Sequence, residues 1–223
     1  MDKGSRLTGT LRRGRRPRFL SGSALILAGG RGTRLGWDKK ILTLDNINVL
    51  QSLIDKLAFL FDEVFLSTND GAVYKGAITL KDEIGVGPLA GICRGLSVCK
   101  SEYLYVTACD MPFLSDEYIK YLKETIADKF VDACVARRED GFYEPFNAFY
   151  NKSALPVITE AIHSSRYGMN RILDQMKLHV VEYSVTCRYA GGNMFFNVNY
   201  KEDLQRLELL HNLYFAPLHS GAV

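Results

Sequence analysis

The chain has 223 residues, of which 47% are apolar and 24% charged, close to the globular average and far from disordered, collagen-like or coiled-coil compositions. Area scaling buries roughly 70% of the extended chain's surface at this size, enough core to need neither metal nor disulfide staples. The net charge of +3 hides an asymmetry: residues 1–22 hold seven basic groups against Asp2 alone, which leaves residues 23–223 at −3 and no global basic field to attract nucleic acid.

Gly4, Gly9, Gly14, Pro17 and Gly22 interrupt any helical pattern in the leader. Residues 1–22 therefore read as a disordered basic arm, or as a misassigned start, ahead of one domain at 23–223. Five cysteines (Cys93, Cys99, Cys109, Cys134, Cys187) are odd in number and form no C-x-x-C, so neither a disulfide framework nor a zinc site is expected. With no signal-like apolar stretch at the start and no run of bilayer length, the composition favours the cytoplasm and excludes a membrane span.

From Ser23 onward, short apolar runs alternate with amphipathic stretches, the pattern of a wound α/β sheet. Ala24-Leu25-Ile26-Leu27-Ala28 is continuously apolar and stops at Gly29-Gly30, as expected of a central parallel strand buried on both faces. Leu50, Leu53, Ile54, Leu57, Leu60 and Phe61 make one helical stripe to cover that sheet. Strands are expected at 63–67, 77–80 and 103–107, and a helix at 89–98 started by Pro88. Ser115 reads as the N-cap of a helix with Tyr118, Ile119, Leu122 and Ile126 on one face. Strand character returns at 133–136, Glu139-Asp140-Gly141 marks a turn, and further strands are expected at 148–150, 180–183 and 195–198. Helices are expected at 154–162 and, closing the domain, from Lys201.

Ligands of open α/β sheets bind beyond the carboxyl ends of the strands, and three loops fall there. The first, residues 27–39, carries four glycines with Arg31, Arg34 and Lys39, a combination suited to a polyphosphate. It lacks the Gly-Lys-Ser/Thr ending of a P-loop, and Gly30-x-Gly32 has no glycine at 35 to complete a dinucleotide fingerprint. The second, residues 81–91, sets acids, Asp82 among them, ahead of a helix N-terminus; alone it reads equally as a helix-dipole contact. The third holds Asp110, a lone carboxylate after an apolar strand, which costs solvation unless paired or bound to a cation. Mg²⁺ held by one carboxylate plus substrate phosphates fits that position.

Four blocks then occur in order: Leu-Ala-Gly-Gly-x-Gly-x-Arg-x-Gly-x-Asp-Lys at 27–39, Gly-Pro-Leu-Ala-Gly-Ile at 87–92, Cys-Asp-Met-Pro-Phe-Leu at 109–114, and Phe-x-Asn-Val-Asn-x-x-Glu-Asp-Leu at 195–204. Together they resemble the molybdenum cofactor guanylyltransferases. The first block is shared by nucleotidyltransferases at large; the second and third narrow the resemblance. It implies a single Rossmann-like nucleotidyltransferase domain with a mostly parallel central sheet. The implied activity joins the GMP part of GTP to the terminal phosphate of molybdopterin, or of its molybdenum-loaded form, releasing pyrophosphate. Carried over by position, Leu27, Ala28, Gly29, Gly30 and Arg34 would line the base and phosphate path. Lys39 would contact the GTP phosphates and serve catalysis. Asn69 and Asp82 would help hold the nucleoside, Asp110 would bind both Mg²⁺ and GTP, and Asn197 and Asn199 would lie towards the pterin.

The stretch 144–150 resembles the family's pterin-side strand and reads equally well as an edge strand after a turn. Tyr200 stands where a small hydroxyl residue is usual, and Tyr167-Gly168-Met169-Asn170-Arg171 departs from the family's pterin-side segment. The resemblance implies GTP and molybdopterin as partners, with molybdenum-insertion proteins and molybdoenzymes beyond them, and neither nucleic acid nor membrane. The rival readings are a cytidylyl or sugar-phosphate nucleotidyltransferase and a non-enzymatic nucleotide or cofactor carrier. The cytidine relatives usually carry Ala-Ala-Gly in the first loop, and a pure carrier has no need of both Lys39 and Asp110.

Overall fold

Ser23–Leu27 (β1) is buried at all five positions, so it must be covered on both faces and paired on both edges. The structure, a computed structural model, describes residues 22–29, 40, 42–44, 47–69, 72–81, 87–200 and 202–214. The leader reading for 1–21 and the site residues Gly30, Arg34, Lys39 and Asp82 lie outside them. Thr43–Leu44 (β2) and Ile47–Asn48 (β3) form a small antiparallel pair, and Val49–Leu60 (α1) follows at once. Asn48 caps α1, its side chain accepting the Gln51 N–H at 2.9 Å. Glu63–Ser67 (β4) and Ile78–Leu80 (β5) extend the sheet on one side of β1. Pro88–Val98 (α2) starts with proline at its first position, and Tyr103–Ala108 (β6) pairs on the other side of β1.

Asp116–Ile126 (α3) is capped by Ser115, whose hydroxyl accepts the Tyr118 N–H at 3.2 Å, with Asp116 and Glu117 in its first turn. Ala133–Arg137 (β7), Tyr143–Asn151 (β8), Leu155–His163 (α4), Met169–Leu173 (α5), Leu178–Val181 (β9), Tyr183–Thr186 (α6) and Glu202–Tyr214 (α7) complete the order. The seven-stranded sheet runs β5-β4-β1-β6-β8-β7-β9. Every pairing is parallel except those of β8, which runs against both β6 and β7. The mostly parallel α/β sheet expected from the sequence is therefore present. Among the described residues no helix is long and apolar enough to cross a membrane.

Three readings are corrected. The 148–150 strand is the far end of a nine-residue β8 that sits inside the sheet rather than at its edge. The run 195–198 is not a strand: a 3₁₀ turn, Ala190–Phe195, precedes extended residues. Its backbone is satisfied by other means: Phe196 N–H donates to the Asn193 carbonyl and Val198 N–H to the Asp110 carbonyl, both at 2.9 Å, while just ahead of it the Met194 carbonyl accepts from the Asn147 side chain at 2.5 Å. The 180–183 strand shifts to Leu178–Val181, because the chain turns at Glu182 into α6.

Two apolar layers sandwich the sheet. Ile26, Leu53, Leu57, Tyr105 and Phe149 belong to one, and Leu25, Leu89, Ile92, Val106 and Tyr150 to the other. On the second side α2 presses against β1 and β4 through Gly91. A Cβ there would meet Leu27 Cδ2 at 2.5 Å and Ser67 Oγ at 2.9 Å. Both neighbours belong to strands paired on each side, so their backbones are fixed and relief has to come from turning the Leu27 and Ser67 side chains within a packed layer. Gly91→Ala gains about 1 kcal/mol of helix propensity and loses about 1–3 kcal/mol to overpacking. The expected outcome is a net loss on the order of 1 kcal/mol, read as a lower urea midpoint at unchanged slope; an equal or higher midpoint would show that α2 shifts freely.

Candidate active site

At the carboxyl edge of the sheet the sequence-distant loops meet. Ala28 N–H donates to the Ser67 carbonyl and Cys109 N–H to the Leu27 carbonyl, both at 2.9 Å. Leu27-Ala28 is thus clamped between the ends of β4 and β6, and Gly29 emerges exposed beyond them. Asn69 stands exposed just past β4, after Thr68, whose N–H donates to Leu80 of β5 at 3.1 Å. Asp110 follows β6, half-buried. So Leu27, Ala28, Gly29, Asn69 and Asp110 occupy one edge, as their positions in the sequence imply. Lys40 arrives there too, its ammonium donating to Thr68 Oγ1 at 3.3 Å. The sequence motif points to Lys39 alone, although the paired lysines are signal enough for both.

A second group of side chains gathers on the other side of Asp110. β8 runs antiparallel, so its amino end reaches the same edge at which β6 and β7 finish. A bulge interrupts its pairing with β7: the two-residue step from Cys134 to Ala136 stands opposite a five-residue step on β8, from Phe149 to Glu144. Asn147 lies inside the bulge at φ 49°, a left-handed conformation that asparagine tolerates better than most residues. Its buried carboxamide oxygen accepts from the Tyr105 hydroxyl at 2.9 Å and the Thr107 hydroxyl at 2.8 Å. Its amide donates to Met194 and so fixes the turn that leads into Asn197.

Arg137, Arg138, Asp140, Glu144, Phe195 and Asn197 line a cleft of about 610 Å³ on this side. Phe195 packs edge-on against Tyr118 at 5.9 Å, and Phe196 stacks on Phe113 at 6.2 Å, so aromatic contacts with α3 and its leading loop hold the segment in place. Asn197 lines the cleft and donates to the Phe195 carbonyl at 3.1 Å. Asn199 does not line it: its N–H and that of Tyr200 both donate to Asp203 at 2.8 Å, where α7 begins. The structure thus separates two asparagines that sequence reasoning had paired.

The charges of the cleft are unevenly satisfied. Arg137 pairs with Glu182 at 3.4 Å and lies over the Tyr143 ring, while Arg138 pairs with Asp140. Glu144 is only 6% exposed. Burial pushes its carboxyl up to about 7; the Phe146 N–H and Arg138 oppose the rise, and the charges of Asp110 and Asp140 add to it. Sequence reasoning met Glu144 only within the 144–150 stretch. The missed signal was Pro145, which cannot donate to a ladder and marks a bulge in an interior strand.

Among the described residues no cluster of three His, Cys, Asp or Glu side chains could hold a metal. A single hard carboxylate such as Asp110 suits Mg²⁺, which keeps several waters and takes its other ligands from phosphates, whereas it could not retain zinc.

Residues 24–180 match the MobA-like NTP transferase domain family. The chain is 34% identical over 196 residues to a probable molybdenum cofactor guanylyltransferase of Peptoclostridium acidaminophilum, covering 84% of this chain and 88% of that protein. It is likewise 34% identical over 189 residues to a molybdenum cofactor guanylyltransferase of Syntrophotalea carbinolica, covering 83% and 90%. Among solved structures, molybdopterin-guanine dinucleotide biosynthesis protein A from Archaeoglobus fulgidus superposes at a TM-score of 0.75 and 22% identity, over 86% of this chain and 99% of that one. A 2-C-methyl-D-erythritol 4-phosphate cytidylyltransferase from Thermus thermophilus superposes at 0.65 and 17% identity, over 86% and 100%. At those identities the two structures establish the fold.

Because its pKa is raised, Glu144 keeps its proton in the folded state between about pH 4.5 and 7, where the unfolded chain has lost it. Its contribution to stability is therefore complete below the unfolded value and is lost as pH rises through 7. Glu144→Gln removes the titration. At pH 8 the variant should be more stable than the parent, by up to about 3 kcal/mol for a shift of this size, and the gap should nearly close at pH 5. Urea unfolding at both pH values checks this; a gap independent of pH would show that the carboxyl is ionised without cost.

Proposed function

We propose, from the premise that this chain belongs to the MobA-like NTP transferases and among them to the molybdenum cofactor guanylyltransferases, that it transfers GMP from GTP to the terminal phosphate of molybdopterin. An oxygen of the acceptor's phosphate monoester attacks the α-phosphorus of GTP. The bond from that phosphorus to the β-phosphate bridging oxygen breaks, and pyrophosphate leaves with its electron pair. The acceptor is largely dianionic at neutral pH, so no general base is required. The work of the protein is to hold two anions in line.

The observation that carries this reading is the position of Asp110 between two sub-sites at one sheet edge. The nucleotide side comprises Leu27, Ala28, Gly29 and Asn69, joined on this reading by Gly30, Arg34, Lys39 and Asp82. The acceptor side is the cleft with Glu144 and Asn197, and Val198 is bonded directly to the Asp110 carbonyl. In this arrangement Asp110 would hold Mg²⁺, which when bound would neutralise phosphate charge. Lys39 and Lys40 would add positive charge on the nucleotide side, and Thr68 orients the Lys40 ammonium. On the same reading the enzyme works in the cytoplasm.

Asp110→Asn keeps the shape of the side chain and removes its charge. It should melt as the parent does and lose turnover on the order of 10² or more, the scale of a preorganised charge stabiliser. Lys39→Ala should raise the KM for GTP as well as lower the rate. Mg²⁺-dependent pyrophosphate release with GTP and molybdopterin measures both. An Asp110→Asn enzyme with normal turnover and Mg²⁺ response would remove the metal assignment, and equal turnover with CTP would move the chain to cytidylyl transfer.

A further inference from the structure

Glu144 lines the acceptor cleft almost completely buried, yet among the described residues its one hydrogen bond is a long one, from Phe146 N–H to Oε1 at 3.4 Å. Among the described residues no salt bridge reaches it: Arg137 pairs with Glu182 and Arg138 with Asp140, and Arg138 acts on Glu144 only through its charge at longer range. A buried carboxylate with so few donors is costly to keep, and a ligand that brings N–H groups to it relieves that cost in a medium where each bond counts for more than in water.

We propose that Glu144 determines specificity for the acceptor by receiving the 2-amino-4-oxopyrimidine edge of its pterin, the ring N–H on one carboxylate oxygen and the exocyclic amine on the other. The inference rests on the acceptor being a pterin, as proposed above. That edge presents two parallel donors, and a carboxylate is the side chain whose two acceptors match them in a fork. Guanine carries the same pair of donors. The place of Glu144 favours the pterin: it stands on β8, beside Asn197 and across Asp110 from the Leu27-Ala28-Gly29 loop on which the nucleotide is placed. A carboxamide at this position offers one acceptor and one donor, and so sets an N–H against an N–H.

The test compares the parent with Glu144→Gln. Steady-state kinetics vary molybdopterin and GTP in turn, and calorimetry follows the binding of 6-methyltetrahydropterin and of GMP. The expected result is a rise of at least tenfold in the KM for molybdopterin and in the Kd for the free pterin, with the KM for GTP and the Kd for GMP within about twofold. A rise on the GTP and GMP side instead would mean that Glu144 reads guanine, and overturns the proposal. Unchanged constants on both sides overturn it as well, as does a parent protein that does not bind the free pterin. Should the parent bind the pterin but release no pyrophosphate from GTP and molybdopterin, the catalytic reading falls while the calorimetry still decides Glu144. Glu144→Met, which removes every hydrogen-bonding atom, gives the same comparison if the glutamine variant does not melt cooperatively.

Discussion

The Asn147 carboxamide is the contact on which the assembled site depends. It is 1% exposed, and its oxygen takes two hydroxyl donors from β6 while its amide holds the Met194 carbonyl. Remove it and three buried polar groups lose their partner at once, each at about 1–3 kcal/mol. No other side chain fills the position. Aspartate has no donor for Met194 and would bury a charge, while an apolar residue satisfies none of the three. The left-handed backbone adds a further constraint, excluding β-branched residues. Through this one side chain the middle of the sheet fixes where residues 194–198 lie. Through Val198 those residues in turn bond the loop that bears Asp110.

The bulge that Asn147 occupies also explains why two carboxylates share an edge meant for anions. In a regular ladder β8 would stay paired along β7, but the extra residues let its amino end reach out beyond β6, where Glu144 meets the field of Asp110. Residues 23–223 sum to −3, so this part of the chain supplies no diffuse positive field. Attraction for an anion has to be local, and among the described residues Lys40, Arg137 and Arg138 bring positive charge to this edge. Those two arginines are already tied to Glu182 and Asp140, which holds them in place without leaving an uncompensated cationic patch.

Much of the fold was legible because its signals are local. The unbroken apolar run of β1, the stripe of α1, Pro88 at the start of α2 and the Ser115 cap each act within a few residues, and each element lies where those signals put it. The failures share a different cause. Residues 195–198 have a strand's composition, but composition cannot reveal that their N–H groups are met by the carbonyls of a preceding turn and of the Asp110 loop. The direction of β8 was hidden for the same reason: 148–150 reads identically as an edge or an interior strand, and only its partners β6 and β7 decide.

The same division runs through the site itself. Binding a triphosphate calls for backbone N–H groups close together and free of side chains, which only a contiguous glycine-rich loop provides, so chemistry of that kind is written in one stretch of sequence. Recognising an organic acceptor calls for side chains arranged around its edges, and these can come from anywhere the fold brings together. On the proposed reading they come from β7, from the bulged end of β8 and from a turn almost fifty residues further on, which the Asn147 carboxamide ties to the sheet. Asp110 lies between the two groups of residues, following a strand that pairs with β1 on one edge and with β8 on the other. A transferase must present a nucleotide and an acceptor to one point, and on the proposed reading that point lies where the parallel strands of the sheet meet the antiparallel β8.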